Sequence, residues 1–169
     1  MIVTQGTEYR KSGIIIFTGI EEVPCPRCGG QLRVRGTCRR KVQQKGGLEI
    51  YRLRVMECST CGKTHRELPE GIVPYKRMDA ELLGIIAEDP GTGELDAPNI
   101  STWDRVKAWI IWFLSYAKHI LEGQQISLGK TFATIHSGDP LSRQLVYYVR
   151  LVANSGQWIQ HRSVMQEEF

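Results

Sequence analysis

Two cysteine pairs with identical internal spacing constrain this chain more than any other feature: "CPRCGG" from Cys25 and "CSTCGK" from Cys58, separated by an insert of 29 residues. Each C-x-x-C makes a tight turn that aims two sulfurs at one point, and the glycines after each pair permit the backbone conformations such turns demand. Four convergent thiolates suit one tetrahedral zinc ion, Zn2+, held by Cys25, Cys28, Cys58 and Cys61. With all four positions thiolate, no ligand site stays open, so the metal is expected to be structural. Cys38 falls inside the insert and reads as a free or packed thiol. His65 could replace a cysteine, but complete pairs make it a surface or core-edge histidine. A redox C-x-x-C fits less well, because no βαβ pattern surrounds either pair.

At 169 residues, 41% hydrophobic and 24% charged, the chain is globular. Apolar runs such as "GIIIF" and "AWIIWFL" are too short to span a bilayer, and the first residues lack the order of a signal peptide, so a cytoplasmic protein without membrane contact is expected. The net charge of +4 hides an asymmetry: Met1 to Arg77 hold 15 Lys/Arg against 7 Asp/Glu, the remainder 7 against 11. A polyanion is the natural partner of the basic half.

Between the cysteine pairs "QLRVRG" and "IYRLRVME" alternate apolar and basic residues. Successive strand side chains point to opposite faces, so an antiparallel hairpin pinned at its base by zinc is expected to carry Arg33, Arg35, Arg52 and Arg54 on one side. Arg39, Arg40, Lys41 and Lys45 would lie toward its tip. Arginine forks suit phosphates and guanine edges, and a two-stranded ribbon can enter a major groove. The alternative is a solvated charged face.

From Met78 the period becomes helical. Asp79 can cap a first helix, and Ser101 with Asp104 reads as a capping box for a long amphipathic one ending near Gly123. The first turns of that helix present Thr102, Arg105 and Lys107, placed as a recognition helix would place base and phosphate contacts. The connection from Asp89 to Ile100 is longer than a helix-turn-helix uses, so a helical core explains the pattern equally well. Asp139, Pro140 and Gly156 bound a third helix.

The expected fold is α+β: a four-cysteine zinc ribbon followed by a mostly helical region with a helix-turn-helix-like arrangement. The expected boundaries are an extension with a short strand over 1–24, ribbon and linker over 25–77, and a helical domain over 78–169. "GQQISLGKT" has the wrong spacing for a phosphate loop, and no carboxylate cluster, triad or nucleophile setting is recognisable, so neither an enzyme nor a small-molecule substrate is expected.

The order "CPRCGG", a basic hairpin, "CGKTH", "IVPYKR", "STWDRVKAWIIWF" and "LVANSGQWIQHRS" resembles an uncharacterised bacterial family, common in Firmicutes, with a zinc ribbon and a divergent helix-turn-helix. That family is linked to transposases and mobile elements. The resemblance implies double-stranded DNA binding, with the four cysteines as ligands and the helix from Ser101 as the reading element. No transposase catalytic domain accompanies it. The expected role is thus a DNA-binding regulator or mobile-element accessory factor, with a homodimer as an option. The rival is a protein-interaction adaptor docking through Trp109, Trp112 and Tyr116; single-stranded or RNA binding, which needs exposed aromatics on the basic face, ranks third.

Overall fold

The strand β5 (Gly47–Cys58) organises the molecule because both of its edges are used. Its sequence alternates Tyr51 and Leu53 with Arg52 and Arg54, so one face can be buried while the other stays polar. Along one edge it pairs antiparallel with β4 (Leu32–Gln44). Along the other, β3 (Ile14–Gly19) pairs parallel with Ile50 to Arg52, and β6 (Thr64–Pro69) pairs antiparallel with Val55 to Glu57. Beyond β3 lies β2 (Gly6–Lys11), and beyond β6, in parallel, β1 (Ile2–Thr4). The computed structural model describes residues 1–89, 100–124 and 135–158.

Helices α1 (Ala80–Glu88), α2 (Ile100–Gln124) and α3 (Leu141–Asn154) pack on one face of this sheet. Val3, Ile15, Phe17, Val42, Tyr51, Leu53 and Leu68 from the strands meet Leu83, Trp109, Ile110, Phe113, Leu145 and Val149 from the helices in one buried cluster. Each such side chain contributes about 1.5–3 kcal/mol on burial. Helices α1 and α3 touch closely: a Cβ on Gly84 would lie 2.6 Å from the Ser142 nitrogen. Asp79 caps α1, accepting from the Leu82 N–H at 2.8 Å, as its sequence position predicts. The N-terminus of α3 is served differently from expectation: Asp139 accepts from the His136 N–H and Arg143, while Glu88 of α1 accepts from the Leu141 N–H.

The expected zinc ribbon followed by a helix-turn-helix region is therefore corrected. The described residues form a curled, mixed six-stranded sheet, a half-barrel, with three helices, and the hairpin between the cysteine pairs is its centre rather than an appendage. The N-terminal residues supply three strands, not one. β2 escaped the sequence reading because it is exposed at every position and lacks apolar alternation; its ladder with β3 and the Ser12-Gly13 turn, both residues at positive φ, hold it. α2 is a core element: Trp103, Trp109, Ile110 and Phe113 are buried, which ties its register to the sheet and to α3.

Candidate metal centre and basic sheet face

The two cysteine turns have the same backbone plan. The Cys25 carbonyl accepts from the Gly29 N–H and the Cys25 N–H donates to Gly30; likewise the Cys58 carbonyl accepts from Gly62 and the Cys58 N–H donates to Lys63. Gly29 and Gly62 sit at φ of +73° and +66°, the left-handed region the turn requires. The turns are laced together by the Ser59 N–H to the Gln31 carbonyl at 3.0 Å.

This geometry brings the four sulfurs within 4.8 Å of one another, with Cys25 3.8 Å from Cys61 and Cys28 3.5 Å from Cys58. A tetrahedron with metal–sulfur bonds of about 2.3 Å has sulfurs about 3.8 Å apart, so the donor set fits one metal ion. Cys58 and Cys28 are shifted in opposite directions from the ordinary thiol range. The Cys61 N–H, and then that of Thr60, draw Cys58 down to about 6. Cys28 is lowered by the Gly30 N–H, but its bonds to Cys61, Cys58 and Cys25 outweigh this and carry it up to about 12. His65 is not one of the four donors: its Nε2 lies 3.3 Å from the Cys25 sulfur, and burial lowers its pKa. Cys38 packs against the hydrophobic core instead.

The arginines separate by face. A β-bulge at Arg35 shifts the register between Val34 and Gly36, so the sides expected from simple alternation do not persist along β4. Arg33 stands opposite Glu57, and Arg35 bonds the same carboxylate at 3.1 Å. Arg40 turns to the core side, where it donates to the Val73 and Lys76 carbonyls at 2.6 and 2.7 Å; burial, with Arg66 nearby, lowers it to about 10. Arg54 forks onto the buried Glu67 at 2.6 and 2.7 Å and donates to the Gly19 carbonyl, and this pairing raises its pKa. These two arginines hold the fold together. The Arg54–Glu67 pair lines a cleft of about 580 Å³ between the sheet and the loop carrying the first cysteine turn.

Arg39, Lys41 and Arg52 remain on the face opposite the helices. The ladder sets Arg39 across from Arg52, Arg52 beside Ile16, and Ile16 across from Tyr9. One row further, Lys41, Ile50, Ile14 and Lys11 align in the same way. Strands β2 to β5 contain three carboxylates, Glu8, Glu49 and Glu57, and register puts all three on the other face, where Glu49 bonds Arg10 and Glu57 bonds Arg35. Among the described residues, Lys11, Arg39, Lys41 and Arg52 form no ion pair.

The helical candidates do not extend this face. Lys107 donates to the Asp89 carbonyl at 2.9 Å and so closes the end of α1; Arg105 is exposed; the side chains of Thr102 and of Ser101, from the expected capping box, are not described, and the loop from 90 to 99 lies outside the described residues. Lys11 was missed because β2 carries no strand signal. Among the described residues no helix is long and apolar enough to cross a membrane.

Residues 25–106, which run from the first cysteine turn into α2, match a domain family described as a domain of unknown function (DUF6431). No curated protein and no solved structure matches the chain. The matched stretch covers both cysteine turns, the hairpin and α1.

Proposed function

We propose that this protein binds double-stranded DNA through the open face of its sheet, with one structural zinc ion fixing the base of the β4–β5 hairpin. Its role would be that of a transcription regulator or an accessory factor of a mobile element, as the resemblance of the motif order suggests. The observation that carries the reading is the segregation of charge: Lys11, Arg39, Lys41 and Arg52 share a face that receives no carboxylate from β2 to β5. Cations left unpaired by the fold are available to phosphates, and an arginine fork grips a phosphate bidentately. Zinc would support this grip indirectly, because Leu32 pairs with Cys58 and so ties the base of the hairpin to the second cysteine turn.

The adaptor reading has less to stand on. Trp109 is buried and stacks on Phe113, and Trp112 stacks on Tyr116, whose hydroxyl donates to the Gln157 carbonyl at 2.7 Å. The test is fluorescence anisotropy of zinc-loaded protein with labelled duplex DNA. Arg39→Ala/Lys41→Ala/Arg52→Ala should abolish binding at moderate salt, while Arg35→Ala, at a residue already paired with Glu57, should leave it intact. Equal affinity of the wild type and the triple variant would overturn the proposal.

A further inference from the structure

We infer that the open sheet face accepts an unpaired strand, so that the preferred DNA is a duplex bordered by single-stranded nucleotides, with Tyr9 as a stacking platform. This rests on the DNA-binding reading and names the form of DNA that the site takes. The basic row does not end on charge: from Arg39 and Arg52 it continues through Ile16 to Tyr9, which is 56% exposed on the edge strand β2. The neighbouring row interleaves Lys41 and Lys11 with Ile50 and Ile14. Cations alternating with apolar and aromatic side chains suit a strand whose phosphates and unstacked bases are both presented, which a closed duplex does not offer.

Size points the same way. Strands lie about 4.8 Å apart, so the row from Arg39 to Tyr9 crosses three spacings, roughly 14 Å before side chains are counted. A B-DNA major groove is about 12 Å wide and admits a two-stranded ribbon. β5 has no free edge toward such a groove, because β3 and then β2 continue the sheet there. The outer strand β4, with Arg39 and Lys41, can rest on duplex phosphates while a splayed strand crosses β5 and β3 to reach the Tyr9 ring.

The experiment compares a blunt duplex, the same duplex with a single-stranded overhang, and the overhang strand alone, for wild type, Tyr9→Ala and Tyr9→Phe. Stacking of one base on an aromatic is worth about 1–3 kcal/mol, so the overhang should tighten wild-type binding by roughly 5- to 150-fold. Tyr9→Ala should erase that gain and leave blunt-duplex affinity unchanged; Tyr9→Phe, which keeps the ring, should retain it. Because the side chain is exposed, loss of folding is not expected, and circular dichroism checks it. Equal binding of blunt and overhang duplexes by the wild type would overturn the inference while leaving the duplex reading in place, as would a preference that survives in Tyr9→Ala. Failure to bind any of the three DNAs would sink the reading beneath it.

Discussion

Arg39 and Arg52 stand directly opposite one another across β4 and β5, two like charges with no carboxylate from β2 to β5 on their face. Such a pair is unfavourable for the sheet, by roughly 0.2–1 kcal/mol. Arg39→Ala and Arg52→Ala should therefore leave the stability in urea equal to the wild type or raise it by about that amount, while DNA affinity falls. A site whose removal helps folding and harms binding is retained for binding; variants that lose stability instead would identify these arginines as structural.

Arg54 and Glu67 make the opposite case. Glu67 has only 1% of its side chain exposed and accepts both the Arg54 fork and the Gly19 N–H. Glu67→Gln leaves the guanidinium without its counter-charge, and breaking a buried pair in this way costs about 3–5 kcal/mol. Replacing both partners, Arg54→Met with Glu67→Leu, should cost much less than the single change. Chemical denaturation of the two variants measures both effects.

Metal removal should release the base of the hairpin. Thiolates must stay deprotonated to hold zinc, so affinity falls as the pH is lowered and protons compete for the sulfurs. Native mass spectrometry is expected to record one metal per chain at neutral pH and none after acidification or chelation, with a large drop in melting temperature. Cobalt substitution should give the visible absorption of a tetrahedral tetrathiolate. A metal-free protein that melts where the loaded protein does would contradict a structural role.

The first cysteine turn also depends on α3. Gly156, at φ +76°, ends that helix, as its place in the sequence predicts, and a Cβ there would come within 2.1 Å of the Pro26 carbonyl oxygen. Gly156→Ala combines a left-handed backbone with that clash, so it should destabilise by more than the ~1 kcal/mol scale of a neutral glycine replacement. It should also weaken metal retention in a chelator competition, because the turn carrying Cys25 and Cys28 must move.

What the sequence disclosed follows from how local each signal is. The cysteine turns, the hairpin between them, the Asp79 cap and the Gly156 stop are written within a few residues of where they act. The parallel ladder of β1 on β6 joins Val3 to Leu68, a contact that no short window can contain. The bulge at Arg35 has a different effect: it turns Arg33 away from the face of Arg52 and brings Arg39 and Lys41, expected nearer the hairpin tip, onto that face. The acids that claim Arg35 and Arg54, Glu57 and Glu67, are brought to them by strand pairing that alternation alone does not specify. In α2 the aromatic residues signal burial clearly, but not that the partner is the sheet, which is why a recognition helix was an equal expectation.

The central claim is most directly tested by the salt dependence of duplex binding. Each phosphate neutralised contributes about 0.9 to the slope of log affinity against log salt, so four cations on the open face predict a slope of roughly −3 to −4. Arg39→Ala/Lys41→Ala/Arg52→Ala should flatten it by close to three such contributions. A slope unchanged in the triple variant, or a wild-type slope near zero, would show that this face does not hold DNA.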